Sequence, residues 1–189
     1  MSLTAFLSAI LALLLAPGPT NTLMGLAGMQ RGLARAARLM PAEILGYLTT
    51  ILPLALVGAG GLARWPEAAV AIRAAAAAWV MILAIRLWSG RGGDARGPEV
   101  TARKIYITTV LNPKALLFAL VLLPVPADPA FVPRLALFCL TVLLAALVWA
   151  GAGHLAQGRG RGRPQLVQRA ASLWLAAVSL TLAAGLFHA

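Results

Sequence analysis

Long apolar runs alternate with short basic segments along this chain. The spacing predicts membrane helices at about residues 3–29, 41–62, 66–88, 105–125, 135–157 and 169–187. Each run is close to the roughly 20 residues that a helix needs to cross the hydrocarbon core of a bilayer. Charges bound the runs: Arg31, Arg35 and Arg38 follow the first, and Arg64 follows the second. Arg73 interrupts the third run, although residues 74 to 85 carry no charge, and Lys114 interrupts the fourth. Pro53 sits mid-way along the second and predicts a kink. Trp65, Trp88 and Tyr106 fall near predicted span ends, as interfacial aromatics do.

Two of the runs are broken near their middles. The first contains Ala16, Pro17, Gly18, Pro19, Thr20, Asn21 and Thr22. Proline removes a backbone donor and its ring clashes with the carbonyl four residues back, so prolines flanking a glycine open the helix. In hydrocarbon each freed peptide group costs several kcal/mol unless protein, water or a solute satisfies it, which turns the stretch toward the protein interior or a cavity. The fourth run carries Val110, Leu111, Asn112, Pro113, Lys114 and Ala115 at a similar depth. The two asparagines of the chain, Asn21 and Asn112, each sit at one break. Lys114 is one of two lysines against fourteen arginines. It lies about nine residues from the inner boundary, roughly 14 Å at 1.5 Å per residue, which is far for snorkelling.

These residues admit two readings. Asn21, Thr22 and Asn112 either repair peptide groups freed by proline or bind a solute, and Lys114 is either a snorkelling cation or a functional group within a span. Glu43, two residues after Pro41, is the acidic residue that falls within a span. It either occupies a first helical turn, where it favours the helix dipole, or carries a proton or meets a substrate ammonium. Arg73, about two turns inside the third span, can snorkel outward, and a structural hydrogen bond accounts for His154 near the inner end of the fifth; His188 sits at the C-terminus and carries no signal.

Composition agrees with the pattern. Of the 189 residues, 61% are hydrophobic and 11% charged, against about 25% charged in soluble domains. One transmembrane domain over 1–189 is expected, with nothing left for a soluble one. The net charge of +11 resides between apolar runs, where basic residues orient spans and meet anionic lipid, so no nucleic-acid partner is expected. Cys139 is alone in an apolar run, so neither a disulfide framework nor a metal cluster is expected, nor any cofactor. Residues 1–30 hold no Lys or Arg and the apolar run continues past the prolines, so a retained first span is expected rather than a cleaved signal.

Twelve of the sixteen Lys and Arg lie in the first, third and fifth loops or at their helix ends. The basic-residue rule then puts the odd loops in the cytoplasm and both termini outside. The third loop, with Gly90, Gly92, Gly93, Gly97 and Pro98, reads as a hinge between halves of about 1–90 and 100–189. Three spans per half make the second half enter from the opposite side, the arithmetic of an inverted repeat. Interrupted helices at matching positions of such halves point to a transporter's central site. Gly25, Gly28 and Gly32 form a small-residue face for close helix packing. The alternation of Gly158, Gly160 and Gly162 with Arg159, Arg161 and Arg163 is a basic linker; no strand and no Lys-Ser/Thr make it a phosphate loop.

With its first span broken by Pro17-Gly18-Pro19, an arginine loop punctuated by glycine, and Asn112-Pro113-Lys114-Ala115 in the fourth span, the whole chain resembles the LysE/RhtB family of amino-acid exporters. The resemblance implies bacterial inner-membrane export of amino acids or their derivatives, driven by proton motive force. Three features depart from the family pattern. Leu123-Pro124-Val125-Pro126 stands where a Phe-rich run ending in Pro-Gln-Phe is usual, Asn21 is two residues beyond Pro19, and Pro41 accompanies Glu43.

The expectation is thus an all-α integral membrane protein of six helices in two inverted three-helix halves, the first and fourth helices interrupted by proline. The expected site holds a zwitterion: amides at a half-helix N-terminus and Lys114 take a carboxylate, while carbonyls, Asn21 and Glu43 take an ammonium. Pro17, Gly18, Pro19, Asn21, Thr22, Asn112, Pro113 and Lys114 form it, with Glu43 or Lys114 coupling protons. An oligomer is left open. A membrane-embedded enzyme is the weaker rival, since one Cys, two His and five acids offer little catalytic equipment. A scaffold or accessory subunit is the other, and it would pack both breaks shut.

Overall fold

In the computed structural model residues 2–89, 99–158 and 164–184 are described, and every regular element among them is helical. The first apolar run forms α1 (Leu3–Leu15) and α2 (Pro19–Arg31), bent by 61° at the break. Next come α3 (Leu33–Ala37), α4 (Met40–Ala63) and α5 (Pro66–Trp88). The fourth run divides into α6 (Ala102–Val110), α7 (Pro113–Leu117) and a π-helical turn at Phe118–Leu122. Last are α8 (Phe131–Gly158) and α9 (Pro164–Ala184).

Two stretches among the described residues are long and apolar enough to cross a membrane, Leu33–Val57 and Phe131–Ala156, and the bent α1–α2 pair makes a third if it is one span. Helices α5 and α9 carry further apolar segments, Ala77–Arg86 and Arg169–Leu180. The Asn112 break divides the fourth run into pieces.

Several boundaries differ from expectation. Arg169 lies inside α9 rather than in a loop, and Arg31 and Arg35 are helical, in α2 and α3. Helix α4 runs through Pro53 without a break. The glycine hinge at 90–98 and the basic linker at 159–163 lie outside the described residues, as does His188. Pro19 and Pro113 do not interrupt helices so much as begin them: each opens a helix, where a fixed φ is pre-set and the missing N–H would be unpaired anyway.

Three helix pairings dominate the packing: α2 along α8, α4 along α6, and α5 along α9. Glycine makes the first two close. A Cβ on Gly28 would collide with the backbone of Ala150, and one on Gly153 with the carbonyl of Gly25. On the α4–α6 contact, a Cβ on Gly46 would sit 2.7 Å from the Thr109 Cβ and 2.9 Å from the Tyr106 carbonyl. Gly32 has a different task from the packing expected of it. Its φ of 78° joins α2 to α3, a conformation that side-chain-bearing residues rarely adopt. Helix α9 is pinned to α5 by Ser172 and Ser179, whose buried hydroxyls donate to the carbonyls of Ala84 and Ala77, both at 2.7 Å.

Two cores result. One gathers Leu23, Met24, Ala27, Leu83, Ala84 and Leu175 from α2, α5 and α9. The other centres on Tyr47, Phe118 and Phe138, whose ring centroids lie 4.7 to 5.7 Å apart. Tyr47 meets both phenylalanines edge-on, the arrangement that the ring quadrupole favours. This trio joins α4, the π-helical turn and α8. At the other end, Val100 donates its N–H to the Gln30 Oε1 at 3.1 Å, and Arg31 pairs with Glu99, which docks the segment before α6 onto the end of α2.

Gly28→Ala should destabilise the protein by about 1–3 kcal/mol, because the new methyl meets backbone and cannot be relieved by a rotamer change. Gly151→Ala on the same α8, where a Cβ meets nothing within 4 Å, should be neutral or stabilising by up to about 1 kcal/mol. Thermal unfolding of the two detergent-purified variants checks the contrast; equal melting temperatures would rule out the close α2–α8 contact.

Candidate functional site

A helix leaves its last carbonyls without intrahelical donors, and α1 ends where the bilayer would offer none. The structure supplies them from two directions. Asn21, in the first turn of α2, donates its amide nitrogen to the Leu14 carbonyl at 2.7 Å and the Ala16 carbonyl at 2.8 Å. Lys114 reaches across from the second break and donates its ammonium to the Leu13 and Ala16 carbonyls, both at 2.7 Å. A cation at a helix C-terminus is also favoured by the helix dipole. Gly18 makes room for it: a Cβ there would stand 3.1 Å from the lysine Nζ and 3.2 Å from its Cε.

The second break returns the contact. Asn112 caps α7, its Oδ1 accepting from the Lys114 backbone N–H at 3.1 Å. Its amide nitrogen donates to the Thr20 hydroxyl of the first break at 3.2 Å. Thr20 is also 3.3 Å, hydroxyl to hydroxyl, from Thr109, which donates to the Ile105 carbonyl at 2.9 Å. The freed carbonyl of Val110, at the end of α6, accepts from Thr50 of α4 at 3.1 Å. Thr20, Asn21, Thr109 and Asn112 are all buried.

The structure therefore brings Gly18, Asn21, Asn112 and Lys114 into one junction, with Pro19 and Pro113 opening the helices on either side of it. Thr22 stands slightly apart, its hydroxyl donating back to the Gly18 carbonyl at 2.8 Å, and Pro17 is exposed at the edge. Glu43 does sit in the first turn of α4, yet it is also buried beside this junction. Its carboxylate and the Lys114 ammonium interact electrostatically, and its Oε2 is sealed from solvent with no hydrogen-bond partner among the described residues. Tyr47, one turn along α4, lies near enough to Glu43 to feel its charge. The bearing residues not singled out from the sequence are Thr20, Thr50 and Thr109. Thr109 lies one turn before Asn112, a spacing that places both on one side of the break.

A cavity of about 370 Å³ opens beside the junction, between α2, α8 and α9. Asn21 and Thr22 form its polar end, and Pro17, Leu26, Met29, Trp149 and Trp174 are among the residues that line the remainder.

No family model matches the chain, and no solved structure matches it. It is similar to an uncharacterized membrane protein of Pseudomonas aeruginosa, 28% identical over 148 residues, which cover 71% of this chain and 68% of that protein. Together with the long apolar helices, this marks the chain as a membrane protein.

Replacing the junction lysine should leave the Leu13 carbonyl without a donor. Lys114→Met is expected to lower stability by about 1–3 kcal/mol, the range for a buried unsatisfied acceptor. Lys104→Met, which removes a bond to the exposed-side carbonyl of Glu99, should stay within about 0.5 kcal/mol. Chemical unfolding in detergent measures both, and equal effects would show that the α1 carbonyls do not depend on Lys114.

Proposed function

We propose that this protein is a secondary transporter that exports an amino acid or small zwitterionic derivative across the bacterial inner membrane, coupled to protons. One observation carries the reading: two broken helices meet, and the opened end of one holds an ammonium group, that of Lys114, on backbone carbonyls. A site that binds a lysine ammonium in this way can bind the ammonium of a solute by the same chemistry. On arrival of the solute, Lys114 is displaced toward the solute's carboxylate or toward Glu43. Glu43, buried and with an unpaired oxygen, is the proton carrier of the cycle.

The pairing of helices supports two inverted halves of three spans. Exchanging the first three apolar runs with the last three turns the packing of the first run on the fifth into that of the fourth on the second, and returns α5–α9 to itself. Both exchanged contacts are close approaches at glycine, and each half contributes one broken helix. The excess of Lys and Arg in odd loops supports cytoplasmic odd loops and external termini. The resemblance to the LysE/RhtB exporters in Pro17-Gly18-Pro19 and Asn112-Pro113-Lys114-Ala115 supports amino acids as the cargo and outward as the direction. The working partners are then the solute and membrane lipid.

A second reading has its own support. The amide nitrogens of Asn21 and Asn112 and the Lys114 ammonium all find partners inside the protein, as a non-transporting scaffold or accessory subunit would arrange them. Transport assays separate the two. In cells loaded with amino acids, Lys114→Ala should abolish efflux per molecule of protein in the membrane; wild-type efflux per molecule in that variant rejects the role of Lys114. Glu43→Gln should retain efflux down a concentration gradient but lose its acceleration by an imposed pH gradient, measured in proteoliposomes.

A further inference from the structure

The cavity beside the junction has a chemistry of its own, distinct from that of the polar break. Asn21 belongs to both. Its amide nitrogen is committed to Leu14 and Ala16, while its Oδ1 accepts no hydrogen bond among the described residues. Beyond Asn21 and Thr22 the walls are apolar, with Leu26 and Met29 from α2, Trp149 from α8 and Trp174 from α9. The space exists because α8 and α9 present alanines to it, among them Ala152 and Ala171, where larger side chains would fill it.

We infer that this cavity receives the side chain of the transported solute, and that the solute is an α-amino acid with a bulky apolar side chain, of the leucine or methionine class. The inference rests on the export reading above. Three features fit this occupant. The amide and hydroxyl side chains of the lining, those of Asn21 and Thr22, are neighbours in the chain, which matches a molecule whose charged atoms are gathered at one end. That end adjoins the α1 carbonyls, where an ammonium is already bound. The volume of about 370 Å³ lies at the small end of the range for ligand sites, roughly 300–1,000 Å³, and so suits a single amino acid. A polar side chain such as that of serine or glutamate would lose hydration against Leu26, Met29 and the indole faces, with only indole N–H donors in return. The two tryptophans supply flat apolar walls that discriminate by size.

The test compares efflux of leucine, methionine, alanine and serine from loaded cells by wild type, Ala171→Phe and Ala152→Leu. The second filler stands on the more exposed side of the cavity and guards against a folding defect in the first. Wild type should export leucine and methionine at least tenfold faster than serine. Each filling variant should lower leucine export at least fivefold more than it lowers alanine export. Export of all four at similar rates by wild type, or a parallel fall for all four in both variants, overturns the inference and leaves the export reading standing. Export of none by wild type removes the export reading itself, and this inference with it. A lipid tail is the competing occupant. If brominated phospholipid in nanodiscs quenches wild type much more than a Trp149→Phe, Trp174→Phe double variant, and leucine does not relieve the quenching, the cavity belongs to lipid and the inference fails.

Discussion

The ended helix α1 sets the terms for everything near it. Its final carbonyls point into a region where neither helix nor bilayer provides a donor, and each left bare would cost several kcal/mol. Lys114 and Asn21 remove that cost together, with four hydrogen bonds onto Leu13, Leu14 and Ala16. Because Asn21 comes from the same run and Lys114 from a run about a hundred residues away, the cap is both local and long-range. Opening the first helix without the second would leave acceptors unpaired; opening the second without the first would leave an ammonium unpaired.

A lysine held on main-chain carbonyls occupies acceptors that suit any ammonium group, and the nearby Glu43 adds an opposite charge beside it. Around this centre the packing is close: glycine faces bring α2 onto α8 and α4 onto α6, and the Tyr47–Phe118–Phe138 trio packs on the π-helical turn just beyond Lys114. Small residues at these faces do the work that apolar burial cannot do among lipid tails, since close backbone approach is what draws helices together there. The π-helical turn adds a local irregularity at a point where such turns often accompany function.

The cavity wall follows the same division. Its polar end is built from the break, and its apolar length from helices that pack tightly elsewhere and separate here. Gly25 and Gly153 touch, whereas alanines nearby on α8 and α9 leave open space. One pair of helices thus provides both the firm contact and the void.

The sequence by itself determined that the chain is helical and apolar, where its two breaks fall, and which scarce polar residues accompany them. Proline, glycine and the restricted use of Asn and Lys are local signals, so they can be read in one dimension. Which donor serves which carbonyl could not be read, because Lys114 and Leu13 are far apart in the chain and their meeting depends on how the helices cross. The same holds for Thr20, Thr50 and Thr109, ordinary in sequence and decisive only once the two breaks touch. Gly32 was legible as a small residue, but its positive φ marks it as a turn rather than a packing face. Glu43 shows the limit most plainly. As a first-turn residue it is read from the preceding Pro41, yet its burial beside a lysine of another helix was decided by the tertiary structure, because charge proximity is set by packing and not by position in the chain.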